Sequence, residues 1–321
     1  MFFSFPKKER ERYILNMIYD ELEYKKIINR ESPDFEIERN SFSFGVEIAE
    51  FYFSGSNARL RNIKSYYDEI LLHEKYRHKD DKKILEPGEF TIQRKDECGD
   101  YKNVARVRGI IQKLPTSDEY SSMIADLIKE KNTRYEHYDK RLNHINLILY
   151  DTENRLSTIL RKEFFGYFFT EKVVEIILES KYREIYLITS LENNQLYFPL
   201  KMIYVLAKLF LIDYFIINEK HSLSTQDENT WLSLLADYLI SVGINEKIYL
   251  LDENQLICGN YGFLITKDGS INIRDYNDYK TPNHAKTYRY IKYLDKNMFR
   301  QIKDCENGTI FTAEIGFDVR K

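Results

Sequence analysis

Residues 32–53 read SPDFEIERNSFSFGVEIAEFYF, two runs of alternating apolar residues on either side of the turn-prone pair Asn40-Ser41. The alternation predicts a β-hairpin, with strand-like runs over Asp34–Glu38 and Ser43–Phe53. If Asn40 and Ser41 form a two-residue loop, residues whose numbers sum to 81 face one another, so Asp34 lies opposite Glu47. Directly opposed Cβ atoms are about 4.5–5.5 Å apart. Two ionised carboxylates at that distance repel each other, and a folded chain tolerates them best when a cation lies between them. An oxygen-only donor set suits Mg²⁺ or Mn²⁺. The geometry is conditional: Asn-Ser is a weaker hairpin signal than Asn-Gly, and a one-residue slip would send the two acids to opposite faces.

Working outward from the hairpin, Ile14, Met17, Ile18, Glu21 and Leu22 fall at helical spacing, predicting an amphipathic helix within 10–30 with Glu21 at the edge of its apolar face. A basic helical region is expected over 57–79. Short strands at Phe90–Ile92 and Val104–Ile111 flank a polar loop, and a second long helix is expected from Ser117 to Lys140. Leu147–Tyr150 and Ile185–Thr189 are short apolar runs that suit central strands covered on both faces, with a helix at Lys172–Glu179 between them. Strands alternating with helices predict an α/β core of roughly 200 residues.

The motif SPDF before a G-[IV]-E-[VI] strand, here Gly45-Val46-Glu47-Ile48, resembles the PD-(D/E)XK nuclease superfamily, over about residues 8–200. The resemblance implies the restriction-endonuclease-like fold, a central mixed sheet flanked by helices, and Mg²⁺- or Mn²⁺-dependent hydrolysis of phosphodiester bonds, with DNA as the usual substrate. It also implies that Pro33-Asp34 is the PD element, Glu47 the second acid, the Ile48 carbonyl a further metal ligand and Glu21 an added helical acid. One residue departs from the pattern. The superfamily's lysine belongs two positions after the second acid, where this chain has Ala49. Glu50 cannot substitute, because Glu47, Ala49 and Phe51 share one face of the strand and Val46, Ile48 and Glu50 the other.

A displaced lysine is available in the helix MIADLIKEKNTRYEHY, residues 123–138. Ile124, Leu127, Ile128, Lys131, Tyr135 and Tyr138 recur at steps of three or four, which turns Lys131 inward among apolar neighbours. Lys131 either serves the two acids in the reaction, or it snorkels to solvent or pairs with a buried carboxylate. Lys129 and Lys64 are weaker alternatives. Arg59, Arg61 and Lys64, with Arg134 and Lys140, are the expected contacts to the phosphates of a nucleic acid; such contacts give affinity and salt dependence but read no sequence.

Composition narrows the other possibilities. The 321 residues carry 48 basic and 51 acidic side chains for a net charge of −3, so any nucleic acid must be held by a local patch. Three cysteines, Cys98, Cys258 and Cys305, lie far apart without metal-ligand spacing, which fits a reducing cytoplasm. His73-Glu74 and His78 miss the spacing of a zincin, and no phosphate-cradling glycine loop is present. The apolar segment 200–217 contains Lys201, Lys208 and Asp213 and reads as a buried helix, not a membrane span. The aromatic run 164–169 reads as core or dimer interface.

The polar segment 218–229 is the expected boundary between a nuclease-like domain, 1–218, and a smaller α+β module, 219–321. That module is expected to hold a helix at Trp231–Ser241 and strands at Ile248–Leu251, Gln255–Cys258, Gly262–Thr266 and Ser270–Arg274, the last two joined at Lys267-Asp268-Gly269. It carries no recognisable chemistry and would sense, dimerise or bind a regulatory partner. The alternative for the whole chain is a binding protein that keeps the fold and has lost the reaction.

Overall fold

The computed structural model describes residues 6–204 with breaks at 40–41, 97, 113 and 192–193, and beyond them residues 207, 208, 211, 234, 237, 238 and 300 and five short strands. The first part runs α1 (Lys7–Asn16), β1 (Lys26–Asn29), β2 (Phe35–Arg39), β3 (Phe42–Phe51), α2 (Gly55–Asn62), α3 (Tyr66–His73) and α4 (Asp81–Ile84). It continues with β4 (Leu85–Lys95), β5 (Tyr101–Gln112), α5 (Ser117–Arg134), β6 (Ile145–Asp151), α6 (Arg161–Phe164), α7 (Glu171–Glu179), β7 (Ile185–Leu191) and β8 (Asn194–Pro199).

Six of these strands form one mixed sheet in the order β1-β2-β3-β6-β7-β8. β3, β6 and β7 are parallel neighbours, and the outer pairings are antiparallel. The hairpin register is the expected one: Phe35 pairs with Val46, Ile37 with Phe44 and Arg39 with Phe42, each pair summing to 81. The same alternation sorts the side chains of β3. Ala49 and Phe51 join the core under α5 and α7, whereas Phe44, Val46 and Ile48 join the core under α1. β6 is buried along its whole length, with Leu147 and Leu149 in the first core and Ile148 and Tyr150 in the second. Phe164 and Phe168 pack with Phe198 inside the first core, so the aromatic run belongs to the interior.

Several helices are shorter than the periodicity predicts. α1 ends at Asn16, and Glu21 opens a separate 3₁₀ turn in which the Asp20 carboxylate accepts from Leu22 N at 2.9 Å. After it, β-branched Ile27 and Ile28 pair with Ile37 and Glu36, so the rest of the expected helix is strand β1. The basic region breaks into α2, α3 and α4, with Glu74 in the left-handed conformation ending α3. α5 begins at a reciprocal Thr116–Glu119 capping box and stops at Arg134, which leaves Lys140 outside it. The strands expected at 90–92 and 104–111 extend into an 11- and 12-residue ribbon, a two-stranded sheet of its own.

Leu200, Met202, Ile203, Tyr204, Ala207 and Leu211 are helical and buried, as expected for 200–217. Lys201 is buried with them and donates to the carbonyls of Ser180 and Tyr182. Among the described residues no helix is long and apolar enough to cross a membrane. Near the C-terminus, β9 (Ile248–Leu251), β10 (Gln255–Cys258), β11 (Phe263–Thr266), β12 (Gly269–Asn272) and β13 (Lys286–Thr287) form an antiparallel sheet ordered β12-β11-β10-β9-β13. Thr266 pairs with Gly269, in agreement with the predicted tight turn. The expected boundary at 218–229 lies outside the described residues, and of the helix expected at 231–241 only Leu234, Asp237 and Tyr238 are described, all helical.

Candidate active site

One glycine and one tight turn bring the acids together. Pro33 Cγ stands 2.6 Å from where a Cβ on Gly45 would be, and Leu142 and Ile145 close the same space, so the strand can pass beneath the Ser-Pro-Asp turn only with glycine at 45. Asn29 pairs with Phe35 and Arg30 N donates to Asp34 O at 2.8 Å, which closes the turn between β1 and β2. Asp34 therefore lies one position beyond the last hairpin pair, opposite Glu47 by register. Its Oδ2 accepts from Ile48 N at 2.8 Å. In a strand the amide and carbonyl of one residue point to the same side, so the Ile48 carbonyl is turned toward this same end of β2.

Both carboxylates are buried, each with 6% relative exposure. Burial pushes the Asp34 carboxyl up to about 6, and the negative charge of Glu47 pushes in the same direction, against the Ile48 amide that favours ionisation. A smaller upward push comes from Glu11, and Lys8 opposes it. The elevation therefore comes first from burial and second from the facing Glu47 charge.

A lysine of α5 reaches the acid pair. Lys131 Nζ lies 2.6 Å from Glu47 Oε1, 84 residues away in sequence, with its side chain 12% exposed. The other members of its stripe behave as helical spacing predicts: Ile124, Ile128 and Tyr138 are buried, and Leu127 and Tyr135 pack against them. Tyr182 OH donates to Lys131 O at 3.1 Å and meets Tyr138 OH at 2.9 Å, fixing the end of α5 beside the acids. Burial, reinforced by the Glu47 charge, pushes both tyrosine hydroxyls well above their ordinary value, so both stay protonated donors.

The acid that α1 brings beside Asp34 is Glu11, and Glu21 lies elsewhere. Glu21 lies outside α1 on an exposed 3₁₀ turn and pairs with Arg12 and Asn16. Glu11 is 2% exposed, and a single ammonium, Lys8 Nζ, sits 3.1 Å from Glu11 Oε2 and 3.4 Å from Asp34 Oδ1. A second ammonium, Lys7 Nζ, lies 3.2 Å from Glu11 Oε1. The signal for Glu11 is present in the sequence, since residues 11, 14, 15 and 18 repeat at helical spacing and Ile14, Leu15 and Ile18 are all core. Glu50 is on the opposite face of β3 from Glu47 and pairs with Arg10 at 2.9 Å.

The phosphate-binding set fares unevenly. Arg59 is consumed: its guanidinium holds the fully buried Asp81, which also accepts from Tyr66 OH and from His78 N, so Arg59 pins α2 to α4. Burial opposes the ionised form of Asp81, yet the Arg59, Tyr66 and Ser56 hydrogen bonds bring its carboxyl down to about 2. Arg134 forms an i,i+4 pair with Glu130 on the exposed side of α5. Lys64 and Lys140 are exposed, and the Arg61 side chain lies outside the description.

Among the described residues no three His, Cys, Asp or Glu side chains are grouped as a complete metal shell. The donors at this site are the Asp34 and Glu47 carboxylates with the Ile48 carbonyl. Such a partial oxygen set matches a hard divalent ion that retains several waters. The register that sets Asp34 opposite Glu47, with the Ile48 carbonyl turned to the same side, is the observation in favour of that fit. Compared with protein-family models, with curated proteins and with solved structures, the chain gives no match.

Proposed function

We propose that this protein is a metal-dependent nuclease of the restriction-endonuclease-like fold, hydrolysing phosphodiester bonds in DNA with Mg²⁺ or Mn²⁺. The observation that carries this reading is the 2.6 Å approach of Lys131 Nζ to Glu47, which supplies an ammonium at the acid pair although the strand position that should hold a lysine is Ala49. Asp34, Glu47 and the Ile48 carbonyl would hold the ion, and when bound it would supply Lewis acidity at the scissile phosphate.

The roles of the chain's own groups follow from their contacts. Ile48 N fixes the rotation of the Asp34 carboxylate by donating to Oδ2. Glu47 holds Lys131 at the reacting centre, where the ammonium orients the attacking water and offsets negative charge growing on the phosphate oxygens. Tyr182, bonded to the Lys131 carbonyl, keeps the last turn of α5 from drifting. Exposed Lys64 and Lys140 are the members of the expected phosphate-binding set whose charge is open to a nucleic acid. A role in restriction or anti-phage defence belongs to the same proposal, as does a sensing or dimerising role for the C-terminal sheet.

A second reading has one observation in its favour. Lys8 on Asp34 and Glu11, and Lys131 on Glu47, give every acid of the site an internal cation. That is also how a non-catalytic descendant of the fold would neutralise its old site. The two readings separate when purified protein is incubated with plasmid, linear and single-stranded DNA and with RNA in Mg²⁺ or Mn²⁺. Cleavage lost in Asp34→Ala and Glu47→Ala supports the nuclease. Cleavage surviving both substitutions sinks the site, and no cleavage of any substrate favours the binding protein.

A further inference from the structure

The β4–β5 ribbon is the largest feature that the acid site does not use. Eleven residues at about 3.4 Å each give it a length of roughly 36 Å. Only its base is anchored, through Leu85 and Ile110 packed on Tyr66 and Ile70 of α3. From Glu89 to Lys95 and from Tyr101 to Arg108 every residue is exposed. An isolated two-stranded ribbon is marginal in water, so one this long has a use outside the core.

Its two faces differ in chemistry. Cross-strand partners share a face, and Glu89 pairs with Arg108, Thr91 with Arg106, Gln93 with Asn103 and Lys95 with Tyr101. Gln93 Nε2 donates to Asn103 Oδ1 at 2.8 Å and the Lys95 ammonium lies over the Tyr101 ring, so these side chains meet on the same side. The opposite face pairs Phe90 with Val107 and Ile92 with Ala105, and toward the tip Arg94 with Lys102, whose ammonium is taken by Asp96. Residues 86–108 contain five basic and five acidic side chains, so the ribbon is no general polycation. Asp96 is consumed at the turn by Lys102 and by the amides of Cys98 and Asp100, whereas Lys95, Arg106 and Arg108 enter no ion pair among the described residues.

We infer that this Arg106/Arg108 face is a duplex-DNA arm that lies in the major groove, an inference that rests on the reading of the chain as a DNA-acting protein. The groove, about 12 Å wide, admits a two-stranded ribbon. A strand rises about 3.4 Å per residue, the same as one base-pair step, so Arg106 and Arg108 address alternate steps while Gln93 and Asn103 present amide donors and acceptors between the strands. The deep, narrow major groove of A-form RNA excludes such a ribbon, so duplex RNA is not a ligand for it.

The test is fluorescence anisotropy of a labelled 20-base-pair DNA with the full chain in a metal chelator, across a salt series. Arg106→Glu with Arg108→Glu should weaken binding at least tenfold and flatten the slope of log affinity against log salt by about 2, with circular dichroism unchanged. Phe90→Ser with Ile92→Ser should leave both readouts near wild type. Unchanged affinity and slope in the arginine variant, equal competition by duplex RNA, or loss of DNA binding only in the Phe90/Ile92 variant would each overturn the inference. The last result, with a smaller sedimentation coefficient, would assign the apolar face to a second copy of the chain. DNA bound through the arginines but never cut in Mg²⁺ or Mn²⁺ would instead remove the nuclease reading and leave the arm standing. DNA cut normally by the arginine variant would do the reverse.

Discussion

Glu184 with Lys201 and Asp34 with Glu47 are both buried carboxylate sites on the central sheet, and they are finished differently. Glu184 accepts from the amides of Ile185, Lys201 and Met202, and Lys201 Nζ spends its protons on the carbonyls of Ser180 and Tyr182. Burial still pushes the Glu184 carboxyl up, but its oxygens have partners, and it caps the start of the helix at Leu200. At the other site two acids face each other, Asp34 has one backbone donor, and the remaining partners are side-chain ammoniums, Lys8 on Asp34 and Glu11 and Lys131 on Glu47. A structural charge is closed by the chain that buries it. The acid pair is balanced instead by long side chains, whose ammoniums can move where backbone amides cannot.

The largest expected effect is on activity. Lys131→Ala should lower DNA cleavage by about 10²–10⁴-fold, because it removes the one ammonium held on Glu47, in a single-turnover assay with saturating metal. Next comes the contrast itself. Glu184→Gln should lower unfolding free energy by about 3 kcal/mol, since an amide NH₂ must then face backbone donors and Lys201 loses its counter-charge. Asp34→Asn should abolish cleavage yet raise metal-free stability at neutral pH by on the order of 2 kcal/mol, measured by urea denaturation. If Asp34→Asn destabilises as Glu184→Gln does, the two sites are alike and the comparison fails.

The acid's titration gives a smaller, graded effect. The folded-state value of about 6 lies above the ordinary 3.8, so protonation favours the folded chain and metal-free stability rises as the pH falls from about 6 to 4. Metal binding needs the carboxylate, so Mn²⁺ affinity by calorimetry should weaken up to tenfold per unit below about pH 6. Gly45→Ala should cost about 1–3 kcal/mol by forcing Pro33 off the strand, visible as a lower thermal midpoint.

Much of the acid site was legible because alternation and helical spacing are local rules. The register expected from a two-residue loop at Asn40-Ser41 is the one the β2–β3 ladder follows residue by residue. Two-residue periodicity put Ala49 with Glu47 and turned Glu50 away, and it meets Arg10 on the far face. The stripe through Ile124, Ile128 and Tyr138 aimed Lys131 at the core. The restriction-endonuclease-like assignment extends beyond the mixed six-stranded sheet with flanking helices and belongs to the proposal. Glu21 misled because its spacing from Ile14 and Ile18 matches a helix that ends at Asn16, before the stripe reaches it.

The amino-acid sequence alone determined which side chains share a face, since a backbone period of two or 3.6 residues acts within a few neighbours. Only the tertiary structure decided what stands across from each face. The crossover from β3 to β6 carries α5 over the sheet and brings Lys131 to Glu47 across 84 residues. The packing of α1 brings Lys8 to Asp34 across 26, and the folding of α4 beneath α2 takes Arg59 out of the phosphate-binding set by giving it the buried Asp81. Charges choose partners by distance through space, and that distance is fixed by topology, which no local period encodes.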